Sequence, residues 1–213
     1  MSLSNKSQYV LASGNPGKLR ELVAMLDPLG FDVRPQGDWQ VPEAEENART
    51  FVENSLIKAR QAAEFTGLPA IADDSGLVVP VLNGRPGIYS ARYAGADANA
   101  RSNMARLLKE LEGRTGDERD AYFYCVLVLV NSADDPAPLI ATGRWHGRIL
   151  NAPRGEGGFG YDPLFGVSGL QDAGRLVSAA ELAPADKSRI SHRGLALREM
   201  IRQLRERDAG IVE

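Results

Sequence analysis

Apolar and polar positions follow two rhythms along this chain, and the switches between them mark its elements. Tyr9-Val10-Leu11-Ala12 is an apolar run closed by the turn formers Ser13-Gly14-Asn15-Pro16-Gly17, which predicts a short buried strand. Leu19, Leu22, Val23 and Leu26 then recur at helical spacing until Pro28 and Gly30 stop them. Phe31-Asp32-Val33 alternates like a second strand. Residues 37–47 are polar and loop-like and carry the acidic stretch Glu43-Ala44-Glu45-Glu46. A helix is predicted over 48–66, with Val52, Leu56, Ala59 and Ala63 as its apolar stripe and Gly67 and Pro69 as its stop.

Ala70-Ile71-Ala72 predicts a short strand that enters a tight turn at Asp73-Asp74-Ser75-Gly76, after which Leu77-Val78-Val79 resumes extended structure. Gly84 to Gly95 reads as a loop and Asn99 to Leu111 as a helix. Ala121–Val130 is too β-branched and aromatic to prefer helix, so it reads as a central strand. Leu139–Leu150 is another, in which Gly143 and Gly147 allow bulges. Gly155–Asp162 is a glycine-rich loop, and the last helix starts near His192 with Leu195, Leu197, Ile201 and Leu204. Strands and helices both alternate and cluster, which predicts an α/β fold with a mixed sheet. Residues 1–8 are expected to form a flexible tail, and 9–213 a single two-lobed domain.

Composition narrows the function classes. The net charge of −3 provides no global basic field for non-specific nucleic-acid binding. A single cysteine, Cys125, excludes an intramolecular disulfide and a four-cysteine zinc site. With His146 and His192 as the two histidines, a three-histidine metal site is excluded as well. The longest apolar run, Ala121 to Val130, is too short to span a bilayer. Met1 to Gln8 lacks the apolar stretch of a secretory signal. The expectation is a soluble cytoplasmic protein with no nucleic-acid or membrane partner.

Four segments could carry chemistry. Ser13-Gly14-Asn15-Pro16-Gly17-Lys18 joins a strand to a helix, where outward N–H groups and the helix dipole favour an anion and Lys18 adds charge. It also fits a plain strand–turn–helix, and Leu19 stands where a Walker loop needs Ser or Thr. Glu45, Glu46, Asp73 and Asp74 are hard oxygen donors of the kind Mg2+ takes one or two at a time, alongside waters and phosphates. The same acids fit a helix N-terminus and a turn. Gly155-Glu156-Gly157-Gly158-Phe159-Gly160 spells a dinucleotide fingerprint, but Pro163 follows and no helix opens there. What remains is a flexible backbone presenting Phe159 and Tyr161, for core packing or for stacking on a base. Lys187-Ser188-Arg189-Ile190-Ser191-His192-Arg193-Gly194 groups donors before the last helix, as a solvated patch or as partners for a base carbonyl or phosphate. Lys58, between Ile57 and Ala59, is expected to snorkel to solvent. Cys125, Trp145 and His146 are assigned packing roles.

Taken together, these segments fit an enzyme acting on a magnesium nucleotide, and they resemble one family. The motifs are Ser13-Gly14-Asn15-x-x-Lys18; Thr50-Phe51-x-Glu53-Asn54-x-x-x-Lys58-Ala59; Ala72-Asp73-Asp74-Ser75-Gly76-Leu77; Pro86-Gly87-Ile88-Tyr89-Ser90-Ala91-Arg92-Tyr93; Gly158-Phe159-Gly160-Tyr161-Asp162-Pro163; and Ser191-His192-Arg193-Gly194. In this order, over about residues 9–206, the chain resembles the inosine/xanthosine triphosphate pyrophosphatases. The resemblance implies an elongated mixed central sheet flanked by helices, two lobes with a substrate cleft between them, and a homodimer. It implies Mg2+-dependent hydrolysis of ITP, dITP and XTP to the monophosphate and pyrophosphate, which cleanses the nucleotide pool.

Site roles follow from the same resemblance. Ser13, Gly14, Asn15, Pro16, Gly17 and Lys18 would hold the triphosphate, helped by Lys58. Glu46 and Asp74 would bind the metal, with Glu45 as their neighbour, and Asp74 would act as general base. Ser75 would touch substrate. Phe159, Gly160, Tyr161 and Asp162 would wrap the base, with Phe159 stacking, and Lys187, His192 and Arg193 would reach its edge. Two departures stand out: the stretch Gly166 to Ala185 reads as longer than the family's connection, and Ser55 replaces a frequent Ala with no expected consequence. The alternatives are a pyrophosphatase of other base specificity and a non-catalytic nucleotide sensor. The sensor would not need Glu46, Asp74, Lys18 and Lys58 together.

Overall fold

Residues 8–209 are described by the computed structural model. The tail expected over residues 1–8 otherwise lies outside the described residues, and Gln8 already opens the first strand. In chain order the elements are β1 (Gln8–Ala12), α1 (Pro16–Leu26), β2 (Asp32–Pro35), α2 (Phe51–Thr66), β3 (Ala70–Val78) and α3 (Ala100–Glu110). Then come β4 (Asp120–Val130), β5 (Leu139–Ile149), β6 (Phe165–Asp172), β7 (Arg175–Ser178), α4 (Pro184–Ile190) and α5 (His192–Ala209). All seven strands form one sheet in the order β2-β1-β3-β4-β5-β6-β7. β1 runs parallel to β2 and β3, while β6 runs antiparallel to β5 and β7, so the sheet is mixed as expected. No helix of the described residues is long and apolar enough to cross a membrane.

The chain divides into two compact units. The first comprises the chain through Asp74, Cys125–Gly143 and the chain from Ala196; the second comprises Ser75–Tyr124 and Arg144–Leu195. Each has its own core. In the first, Leu11, Leu22, Leu26, Ile71, Leu127, Leu129 and Leu197 pack together, with Cys125 buried among them. In the second, Leu77, Leu107, Phe123, Trp145, Leu164 and Phe165 do so. Arg119 is buried in the second unit and donates to the carbonyls of Ile149 (2.8 Å), Leu111 (3.1 Å) and Leu150 (2.8 Å).

Three local expectations are corrected. Asp73-Asp74-Ser75-Gly76 is not a turn: β3 passes straight through it as one strand. The register Val10↔Ala70, Leu11↔Ile71, Ala12↔Ala72 supplies a parallel partner as far as Ala72; β4 flanks β3 on its other side, and this place within the sheet outweighs the turn propensity of Asp, Ser and Gly. Helix α2 begins three residues later than 48. Thr50 accepts from the Glu53 amide while the Glu53 carboxylate reaches back to the Arg49 amide, so the start is fixed by side chains rather than periodicity. Gly147 makes no bulge in its pairing with β6; a Cβ there would lie 2.4 Å from the Gly166 carbonyl and 2.5 Å from the Phe165 ring. The long stretch after Gly166 is the β6–β7 hairpin, turned at Ala173 and Gly174 with φ of 49° and 77°.

The buried face of α2 also differs from the expected stripe. Val52 and Leu56 are half-buried, whereas Asn54, Ser55, Ala59, Ala62 and Ala63 are buried. Small residues let the helix lie close to the sheet, and the polar pair is satisfied there. The Ser55 hydroxyl, fully buried, lies 3.0 Å from the Ala72 carbonyl on β3 and 3.3 Å from the Val126 carbonyl on β4. The position expected to be silent therefore links one helix to two strands. Ser55→Ala is expected to lower the unfolding free energy by about 1 kcal/mol, the net value of a buried hydrogen bond. Urea unfolding of the two proteins measures this, and coincident midpoints would show that the link contributes nothing.

Candidate active site

In the first unit, an acid–lysine cluster forms where α1, α2 and β3 come together. Asn15 caps α1: its Oδ1 accepts from the amides of Gly17 (2.9 Å) and Lys18 (3.2 Å), and Pro16 has no amide to satisfy. The Ser13 hydroxyl in turn accepts from the Asn15 amide at 3.3 Å. Two of the N–H groups expected to point outward are thus already engaged. The exposed Glu43 carboxylate stands over Gly14, where a Cβ would displace it.

Asp73 and Asp74 are buried, and successive strand residues face opposite ways. Each has a lysine. Lys18 Nζ lies 3.3 Å from Asp73 Oδ2, and Lys58 Nζ lies 3.8 Å from Asp74 Oδ1. Lys58 does not snorkel to solvent as expected; its side chain is 11% exposed. Its ammonium donates to the Asp73 carbonyl at 2.7 Å and sits 2.7 Å from Glu46 Oε1. Burial alone would push Lys58 toward neutrality, but Asp73, Asp74 and Glu46 outweigh it and hold its pKa above the ordinary lysine value. Burial pushes the Asp74 carboxyl upward. Lys58 and Lys18 pull it down, Glu46 and Asp73 push it up again, and the net shift is upward. Asn54 is the partner that the sequence reading quoted in a motif without giving it a role. Its Nδ2 donates to Asp74 Oδ2 at 3.2 Å. Its spacing of four from Lys58 was the available signal, because i and i+4 share a helix face.

No group of three or more His, Cys, Asp or Glu side chains arranged to hold a metal ion occurs among the described residues. Glu45 is exposed, and no contact brings it into the cluster.

In the second unit, a cation–aromatic cluster forms around the glycine loop. The half-buried Phe159 ring has Lys187 Nζ 5.0 Å and Arg193 Cζ 5.3 Å from its centroid. Lys187 and Asp162 form a buried ion pair at 2.7 Å, and Asp162 Oδ2 also accepts from the Phe159 amide at 2.7 Å. Gly158, at φ 71°, makes room for that carboxylate: a Cβ there would meet Asp162 Oδ2 at 2.2 Å. Arg193 donates to Ser75 Oγ at 2.7 Å, so Ser75, Phe159, Asp162, Lys187 and Arg193 belong to one network. Gly160 lies in the same loop at φ 63°.

Two expected members sit deeper. Tyr161 is buried in the core and donates its hydroxyl to the Ser90 carbonyl at 2.9 Å; burial pushes the phenol far up, so it stays protonated. His192 is buried with its ring 4.8 Å from Phe123 and 6.2 Å from Trp145, nearly parallel to both at 12° and 14°. Trp145 packs, as expected, and together with Phe123 it fixes the histidine plane. His146 lies on the exposed side of β5, beside Tyr122.

Residues 9–203 match the model of the Ham1 family. A relative from Thioalkalivibrio sulfidiphilus named dITP/XTP pyrophosphatase is 54% identical over 94% of this chain and all of its own. One of the same name from Vibrio cholerae is 52% identical over 93% of this chain and 97% of its own. Among solved structures, a HAM1 protein from Coxiella burnetii superposes with a TM-score of 0.84 at 47% identity, covering 94% of this chain and 99% of that one. The Staphylococcus aureus Ham1 protein superposes with a TM-score of 0.80 at 35% identity, covering 94% and 99%. With a family match along nearly its whole length and relatives above half identity, this chain belongs to the Ham1 family.

Proposed function

We propose that this protein hydrolyses non-standard purine nucleoside triphosphates, ITP, dITP and XTP, to the monophosphate and pyrophosphate. The observation that carries the reading is the meeting of Lys18, Lys58 and Glu46, all half-buried, with the buried Asp73 and Asp74. Binding a nucleotide needs cations, but it does not need buried acids held among them. Cutting a phosphoanhydride needs both, and the relatives' names give the substrate class.

The donor set suits a hard divalent cation, because Glu46 and Asp74 offer carboxylate oxygens and Mg2+ takes one or two of these with waters and substrate phosphates. Glu46 and Asp74 would hold Mg2+, with Glu45 beyond them, and the bound cation would neutralise charge on the phosphates. The chain's own groups do the rest. Lys18 and Lys58 stabilise negative charge on the departing pyrophosphate, which is the main demand of phosphoryl transfer. Asp74, its pKa raised by burial, takes the proton of the water that attacks the α-phosphorus. Ser13 to Lys18 hold the triphosphate.

Base selection falls to the cluster around Phe159. Phe159 supplies a stacking face. Arg193 and Lys187, held beside that ring by Ser75 and Asp162, present donors to the C6 oxo group of hypoxanthine or xanthine. Adenine carries a donor at that position, and a site left with facing donors rejects it strongly. Tyr161 and His192 shape the wall behind the base from the core side. The assembly that goes with this reading is a cytoplasmic homodimer working on free nucleotides.

The primary test is product analysis with ITP, dITP, XTP, ATP and GTP, with Mg2+ and with a chelator. IMP or XMP with pyrophosphate, little from ATP or GTP, and loss on chelation are expected. A diphosphate with inorganic phosphate would place the attack at the γ position. Turnover of other bases would indicate a pyrophosphatase of other specificity, and binding without turnover a sensor. Asp74→Asn should lower kcat by about 10^2- to 10^4-fold, the range for a lost general base, with the circular dichroism spectrum preserved. A variant with parental kcat would remove Asp74 from the mechanism. Phe159→Ala should weaken binding by about 1–3 kcal/mol, read as a raised KM for ITP. An unchanged KM would make the ring a packing residue.

A further inference from the structure

We infer that Asn54 is a positioning residue that ties the Glu46 segment and the Asp74 carboxylate into one preformed unit. The inference rests on reading Glu46 and Asp74 as the metal-holding pair.

Asn54 is fully buried and uses both ends of its amide. Its Oδ1 accepts from the Ala48 amide at 3.1 Å, two residues beyond Glu46. Its Nδ2 donates to Asp74 Oδ2 at 3.2 Å. One side chain thus anchors the backbone that carries one acid and orients the carboxylate of the other. Lys58, one turn on, faces the second oxygen of Asp74 and also reaches Glu46. The two α2 residues therefore hold the pair differently: Lys58 by charge, Asn54 by hydrogen-bond direction.

The arrangement calls for an amide. Asparagine offers a donor and an acceptor on one short stem. Aspartate at 54 would keep the acceptor for Ala48, lose the donor and set a second carboxylate against Asp74. Leucine keeps the branching at Cγ, is bulkier, and would lose both bonds without adding charge. The two substitutions therefore separate two roles. If Asn54 merely pins the loop at Ala48, Asn54→Asp stays close to the parent and Asn54→Leu is damaged. If it positions Asp74, the order reverses and Asn54→Asp is the worse of the two.

The experiment compares the parent, Asn54→Asp and Asn54→Leu at pH 8.5. Three quantities are read. The first is kcat and KM for ITP with Mg2+. The second is Mn2+ affinity of the nucleotide-free protein by electron paramagnetic resonance. The third is hydrogen exchange at the Ala48 amide. Asn54→Leu is expected to lose about tenfold in kcat, the equivalent of one hydrogen bond to a charged group, and Asn54→Asp at least tenfold more. KM should move by less than about threefold in both, because the phosphate and base contacts are left in place. Mn2+ affinity should follow the order parent, Asn54→Leu, Asn54→Asp. The Ala48 amide should stay protected in Asn54→Asp and exchange faster in Asn54→Leu.

Parental kcat and Mn2+ affinity in Asn54→Asp would overturn the inference, as would equal Mn2+ affinity in all three proteins. If the parent fails to hydrolyse ITP, the proposed activity falls, and the Mn2+ order still decides the role of Asn54.

Discussion

Burying two consecutive carboxylates in one strand is the constraint on which the first unit is built. An ionised group taken out of water without partners costs several kcal/mol. Asp73 and Asp74 are both buried, and together with the nearby Glu46 they outnumber any single counter-charge. The chain answers with two lysines from two helices. Lys18 reaches Asp73 because α1 starts directly after β1, whose parallel pairing with β3 brings that helix start beside the aspartates. Lys58 reaches Asp74 because α2 turns a face of small residues to the sheet and lies close. The Thr50–Glu53 cap sets where that helix begins, and so where residues 54, 55 and 58 fall.

The second unit solves a related problem with one ion pair. Lys187 and Asp162 are both buried and meet at 2.7 Å, with the Phe159 ring beside the ammonium. Removing one partner of such a pair leaves the other uncompensated, so the two are coupled more tightly than an exposed bridge would be. Gly158 is the backbone condition for it, since any side chain there collides with Asp162. The cation that faces the ring is therefore set by a carboxylate behind the loop.

Much of this was legible in the residues, for physical reasons. The α/β class, the long apolar strands and the start of α5 follow from periodicity that tertiary contacts did not override. The glycine-rich segment is not a dinucleotide loop, because a three-residue 3-10 turn, Asp162–Leu164, leads directly into β6 where that motif needs a helix. What failed were places where a distant partner decides. Asp73-Asp74-Ser75-Gly76 has turn composition and becomes strand as part of β3, which lies between β1 and β4 in the sheet. Lys58 has the look of a surface lysine and is buried because three acidic residues surround it. Ser55 looked interchangeable with Ala because its two acceptors are backbone carbonyls far away in sequence. Asn54 was visible as a letter in a motif but not as a link, since Ala48 and Asp74 meet it only in the folded chain.

The cap on α1 changes what it means for this loop to take an anion. Gly17 and Lys18 already give their amides to Asn15 Oδ1. An oxyanion arriving there would displace an oxygen instead of filling a vacancy, and it would gain only the difference between the two acceptors. Such a seat grips weakly and lets go readily, because the vacated amides always have a tethered oxygen to return to. For a catalyst that must discard two anionic products each cycle, a self-closing seat favours turnover over retention.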